Sequence, residues 1–463
     1  MRVVELPVED EAEARPPEYS DEALALRFAT VSAEALRYVA SWGRWYQWSG
    51  VVWAPDDTLA AYDRVRHECR AAAADLTARD TSTTAKRQAA NVASAKAVAA
   101  VERLARSDRR LAATVSQWDR EREVFTTAGE TIDLRTGENR PARREDYSTK
   151  CSAVAPREMA TPLWDNFIDR VTGGDPDFEA YLQRVAGYCL TGHVKEHALF
   201  FLFGHGANGK SVFVNTLAGI WGDYAITAPV DLFMASHTER HPTELAMLRG
   251  ARLVTATETT EGRRWDEAKI KMLTGGDAIT ARFMRQDFFE FEPHFKLVIS
   301  GNHKPALRSV DEAIRRRIHL IPFTVTIPPK ERDPDLSDKL KAEWPGILAW
   351  AVRGCQEWRR QGLNPPEAVR TATDDYLAGE DALALWTEEC CEPDVTWFET
   401  TGDLFTSWKA WAERTGEHIG TRKAFGQRLE ERGLDSHRRD HGRGFLGLHI
   451  QRPNYTDDPR YGG

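Results

Sequence analysis

Six apolar residues, Ala198-Leu-Phe-Phe-Leu-Phe203, run directly into Gly204-His-Gly-Ala-Asn-Gly-Lys-Ser211, and this junction restricts the fold more than any other feature of the chain. An uninterrupted apolar run of this length, bounded by glycine, reads as a strand buried on both faces, which is the habit of a parallel sheet covered by helices. The eight residues after it fit Gly-x4-Gly-Lys-Ser. Gly204, Gly206 and Gly209 leave backbone N–H groups free to wrap a phosphate without a Cβ in the way. Ala207 and Asn208 complete the loop, Lys210 brings the charge, and Ser211 offers a hydroxyl for Mg2+. From Val212 to Ala218 the pattern is an amphipathic helix whose N-terminus completes the anion site. A nucleoside triphosphate, ATP, with Mg2+ is the expected ligand.

At 463 residues the chain calls for roughly two or three domains rather than one core. A net charge of -9 argues against a protein that coats nucleic acid over its whole surface, so any such contact is local. The six cysteines, at 69, 151, 189, 355, 390 and 391, lack the spacing of a disulfide framework or a zinc site. No apolar run approaches the roughly 20 residues of a membrane span, and the N-terminus has no secretory apolar region, so a cytoplasmic protein without membrane contact is expected.

Composition divides the chain further. Residues 1–20 are acidic, contain proline and read as a disordered tail. Residues 21–194 read as a mostly helical N-terminal domain. Within it, Trp42, Trp45, Tyr46, Trp48 and Trp53 are expected to pack a small sheet beside a helical layer rather than to stack on bases. Strand and turn signals fill 119–150. Residues 195–327 alternate strands and helices as an α/β motor domain would, and Pro328-Pro329 marks its end. A helical extension over 328–390 follows, with a helix from 340 to about 360, a break at Asn364-Pro-Pro366 and one further helix over 367–390. Residues 391–463 read as a small α/β unit.

Downstream of the loop, Arg252-Leu-Val-Thr-Ala-Thr-Glu258 is a second buried strand ending in an acid, where a P-loop enzyme needs a carboxylate for the metal shell and the attacking water. Glu258 is the first choice, with Glu261 and Asp266 behind it; a helix-capping carboxylate is the plainer alternative. A third strand, Phe295 to Ser300, runs into Gly301-Asn302-His303, and Asn302 at that edge suits a sensor of the γ-phosphate. The run Arg315-Arg316-Arg317 is either a solvated face or the source of an arginine finger, and a finger acting on a neighbour requires an oligomer. Residues 278–293 read as a hairpin with a polar tip near Arg285-Gln286-Asp287, placed to hold a nucleic-acid backbone.

Taken in order and spacing, Gly204 to Ser211, the strand ending in Glu258, Lys271 to Asp277 with Arg282, Gly301 to Pro305, and Arg315 to Ile318 resemble a superfamily 3 helicase of the phage and plasmid primase-helicase type, related to the poxvirus primase-helicase. The resemblance implies an AAA+-like motor that works as a hexameric ring, moving on single-stranded DNA, typically 3′ to 5′, and opening forked DNA. It implies Lys210 and Ser211 on phosphate and metal, Glu258 as the Walker B acid, Asn302 as sensor, Arg316 or Arg317 as finger, and Lys271, Arg282, Arg285 and Gln286 as DNA contacts. Many members pair two acids at the second strand, whereas Thr257 precedes Glu258 here. Many carry an N-terminal primase; none is expected in this chain, so a separate primase is the implied partner. The C-terminal unit, locally basic, resembles the small winged-helix-like domain that ends many members. A ring ATPase that responds to nucleic acid without unwinding it is the alternative.

Overall fold

The computed structural model describes residues 15–236, 243–257, 263–284, 287–307, 310–417, 419–439 and 442–451. A parallel sheet lies at its centre. Its strands, numbered in chain order, are β1 (Leu199–Phe203), β2 (Ala225–Thr227), β3 (Leu253–Thr257), β4 (Lys296–Gly301) and β5 (Ile318–Pro322). Their spatial order is β5-β1-β4-β3-β2, all parallel. The apolar run of β1 follows from the period of two: Leu199 and Phe201 face one core, Phe200 and Leu202 the other. With both faces covered, a polar residue at any of these positions would be stranded away from water.

The core containing Phe200 extends through segments that flank the sheet in sequence. Helices Pro162–Thr172, Pro176–Leu190 and Trp344–Gln361 supply Trp164, Phe167, Tyr181, Leu182, Ile347 and Trp358 to it. The last two helices approach so closely that a Cβ on Gly187 would lie 2.0 Å from the amide nitrogen of Cys355. The buried Glu343 carboxylate accepts from the amides of Leu163 (3.0 Å) and Trp164 (2.9 Å), satisfying two orphan donors at the start of the Pro162–Thr172 helix.

His319 on β5 is held 2.8 Å from the Tyr181 hydroxyl, and burial pulls its pKa down to about 4. Because the unfolded ring titrates near 6.5, the stability that the neutral ring contributes is complete above that value. It is lost as pH falls toward 4, at no more than about 1.4 kcal/mol per pH unit. Thermal melts between pH 7 and 4.5 should therefore fall less steeply for His319→Gln than for the parent chain; parallel slopes would remove this histidine from the acid response.

In the N-terminal region, helices Asp21–Ser32, Ala60–Arg79, Thr83–Val92 and Ala95–Ala105 share one core. Beside them, strands Leu36–Val39, Arg44–Trp48 and Trp53–Pro55 form an antiparallel sheet, in which Trp45, Tyr46 and Trp53 are buried while Trp42 and Trp48 are half-buried. A second antiparallel sheet is built from Val124–Thr126, Glu130–Asp133 and Glu138–Pro141. The single helix expected over 367–390 is instead two, Glu367–Gly379 and Ala382–Cys390. The break has a local cause: the Asp381 carboxylate accepts from the amide of Ala384 (3.3 Å) and caps the second helix.

Beyond it, Cys391–Thr400, Ser436–Arg439 and Gly442–Ile450 form a three-stranded antiparallel sheet against helices Thr401–Thr415 and Arg422–Glu431. Trp386, Trp408, Phe425 and Phe445 fill this small core.

Candidate active site

Register decides what meets at the C-terminal edge of the sheet. Phe203, the last residue of β1, is paired with Gly301 of β4 and with Pro322 of β5, while Ser300 is paired with Thr257 at the end of β3. The glycine loop after β1, Asn302 after β4 and the end of β3 at Thr257 therefore lie side by side, at the usual ligand edge of an open parallel sheet.

The loop is braced from below. The Asn208 side-chain amide donates to the Phe323 carbonyl at 2.9 Å, and the amide of Ile327 donates to the Ala207 carbonyl at 2.9 Å. A Cβ on Gly204 would fall 2.2 Å from that same Phe323 oxygen. Gly209, at φ +88°, closes the loop in the left-handed region, and a Cβ there would sit 2.6 Å from the Val171 side chain. Gly204 is thus required by space, and Gly209 by space and by conformation. Gly206 and Ala207 hold the top of the loop with positive φ.

Lys210 opens the helix Lys210–Trp221, and its side chain is buried. Its ammonium donates to the Gly204 carbonyl (2.6 Å), the Asn208 side-chain oxygen (3.0 Å) and the Asn302 side-chain oxygen (3.1 Å). All three acceptors are neutral. Desolvation, with no carboxylate among those partners, lowers the lysine pKa. A buried cation beside a helix N-terminus has the electrostatics that suit an anion. Ser211 and Val212 follow in the first turn, with Ser211 exposed.

Of the acidic candidates, Glu258 and Glu261 lie outside the described residues, as do Arg285 and Gln286 at the hairpin tip. Asp266 caps the helix Glu267–Gly275, accepting from the Lys269 amide at 3.0 Å. The hairpin itself forms, Ile279–Ala281 pairing antiparallel with Phe289–Phe291. Arg282 stands 4.8 Å over the ring of Phe288, and Lys271 is ion-paired with Asp311. The two finger candidates separate. Arg316 is exposed, whereas Arg317 is buried, donating to the Thr274 hydroxyl (3.1 Å) and the Ala313 carbonyl (2.7 Å).

Two features escaped sequence reasoning. Phe283, Met284 and Phe288 are exposed around the hairpin, an apolar face signalled in the sequence by three large apolar residues flanking a polar tip. The loop after Asn302 is held from a distant helix: the Tyr376 hydroxyl donates to the Pro305 carbonyl, and Glu380 accepts from the amide of Leu307 at 2.8 Å. Burial raises the Glu380 pKa. No local pattern announces that support.

A five-stranded parallel sheet in this order, carrying a glycine loop and a buried lysine at its C-terminal edge, defines an α/β protein of the P-loop type. Residues 25–173 match the family model described as "D5 N terminal like", and residues 202–317 match a family of unknown function, DUF5906. The putative helicase L207/L206 of Acanthamoeba polyphaga mimivirus is 29% identical over 224 residues, 44% of this chain and 23% of the relative. The putative helicase 022R of Frog virus 3 (isolate Goorha) is 25% identical over 280 residues, 55% of this chain and 28% of the relative. The chain thus spans only about a quarter of the length of the curated relatives it matches. Among solved structures, the apo NrS-1 C-terminal region (305–718) superposes with a TM-score of 0.51 at 9% identity, covering 93% of this chain and 100% of that one, a likeness of fold alone. Two separate parts of the chain thus resemble the D5-like model and the DUF5906 family, and the chain is similar to viral proteins named putative helicases. Among the described residues no helix is long and apolar enough to cross a membrane.

Proposed function

We propose that this protein is an ATP-driven DNA helicase of superfamily 3, working as a hexameric ring on single-stranded DNA with 3′ to 5′ polarity. The observation that carries the reading is the contact between Lys210 and Asn302: the lysine of the phosphate loop and the polar residue at the end of β4 share one hydrogen bond. Phosphate oxygens arriving at the loop would compete for that lysine and free the Asn302 amide to orient water. This links occupancy to the neighbouring strand.

In this reading the loop amides and Lys210 hold the phosphates, and Ser211 with Glu258 would hold Mg2+, whose charge offsets that of the phosphates. The exposed Arg316 serves as the finger for an adjacent protomer. The hairpin carries the DNA contact, with Arg282, Arg285 and Gln286 for the backbone and the exposed Phe283 and Phe288 available for base stacking. Lys271, ion-paired with Asp311 in the free protein, is taken as a further contact to the DNA backbone. The C-terminal unit is taken as winged-helix-like, with exposed Arg438 and Arg439 on its wing. A cytoplasmic setting and a separate primase complete the picture.

The test is steady-state ATP hydrolysis with and without single-stranded DNA, followed by unwinding of tailed duplexes. DNA should stimulate turnover, and Arg438→Ala with Arg439→Ala should weaken duplex binding while leaving the single-strand response. Turnover indifferent to DNA would favour the non-unwinding ring ATPase instead.

A further inference from the structure

The hairpin Ile279–Ala281/Phe289–Phe291 stands outside the central sheet as a two-stranded element of its own. An isolated hairpin is marginal in water, so something else must hold its direction. Ile279, Ala281 and Phe291 seat its strands in the core that contains Leu199 and Phe201, and two further contacts at its base lead to the N-terminal region.

The first is a stack. The guanidinium of Arg249 lies 5.2 Å from the ring of Phe289 and 5.0 Å from the ring of Trp42. Trp42 is anchored in turn against Trp118, ring centroids 5.9 Å apart. On the other side, Phe289 stacks on the exposed Phe283 at 5.5 Å. An unbroken line of rings with one cation in it therefore runs from the N-terminal aromatic core to the exposed face of the hairpin. The planar, weakly hydrated guanidinium suits that place between two rings; an ammonium does not. The second contact is independent of the first. Arg122 forms an ion pair with Glu292, the residue directly after the second hairpin strand. The backbone of Arg122 is fixed as well, its carbonyl accepting from the amide of Gly192 at 2.8 Å.

We propose that the N-terminal region is the strut that aims the hairpin, with Arg249 as the positioning residue, so that the response of the ATPase to DNA is set partly from outside the motor domain. This inference rests on the proposed helicase reading for its functional half only. Neither Arg249 nor Trp42 touches the phosphate loop, so substitutions there should spare hydrolysis without DNA.

The test uses the full chain with Trp42→Ala, Arg249→Lys and the double variant. Arg249→Lys keeps the charge and removes only the planar face, which protects the fold. Hydrogen exchange at Ile279–Ala281 and Phe289–Phe291 should quicken by about tenfold in either single variant while exchange in β1 and β4 stays unchanged. The DNA concentration giving half-maximal stimulation should rise by about tenfold, and the double variant should do no worse than the singles, because one stack is broken in each. Unchanged exchange at the hairpin overturns the strut. Faster exchange with an unchanged DNA response, or additive losses in the double variant, overturns its role in aiming the hairpin at DNA. A parent protein that ignores DNA would count against the helicase reading, and the exchange arm would still decide the strut.

Discussion

Lys210→Ala is expected to lower ATP turnover by about 10³-fold, or about 4 kcal/mol of transition-state stabilisation, while leaving the melting temperature nearly unchanged. The two halves of this expectation have one cause. The ammonium is buried among three neutral oxygens, of Gly204, Asn208 and Asn302, so its removal strands no partner charge, and relief of the desolvated cation offsets the acceptors left unpaired. What disappears is the cation at the place where charge develops on the transferring phosphoryl group. Phosphate release under saturating ATP, alongside a thermal melt, reads both. Turnover within tenfold of the parent would mean that the loop is not the hydrolytic centre.

Arg316→Ala and Arg317→Ala should fail in different ways. Arg316 is exposed on the segment after the short Glu312–Arg315 helix, free to reach a neighbouring protomer. Its loss should leave nucleotide binding intact and reduce turnover by about 10³-fold, the range of a finger supplied in trans. Arg317 points inward and satisfies Thr274 and the Ala313 carbonyl. Its removal should cost about 1–3 kcal/mol of stability by leaving those acceptors unpaired. Nucleotide titrations, turnover and melts on the two variants separate the roles. Mixing Lys210→Ala with Arg316→Ala protomers should restore part of the turnover, since such a ring contains sites with an intact loop and an intact finger. Normal hydrolysis by Arg316→Ala would end the trans-finger proposal.

Much of the fold was legible in advance because its signals are local. The six apolar residues ending at Phe203 could only be a strand covered on both faces, and the glycine loop could only follow it. The aromatic patch from Trp42 to Trp53 also read correctly as packing, since so many large rings near one another cannot all remain in water. The single helix over 367–390 was misjudged because one aspartate, Asp381, starts a new helix within an otherwise helical pattern. The apolar face of the hairpin has no signature in the charge pattern that marks its tip.

The sequence by itself determined the parallel sheet, the glycine loop that follows its first strand and the order of the motifs, because strand burial and glycine geometry are properties of neighbouring residues. Only the tertiary structure decided which of two adjacent arginines faces solvent, that Tyr376 and Glu380 hold the loop after Asn302, and that Arg249 joins Trp42 to Phe289. Each of those depends on residues far apart in the chain being brought together by packing, and no local spacing records which partner a side chain will find across the core.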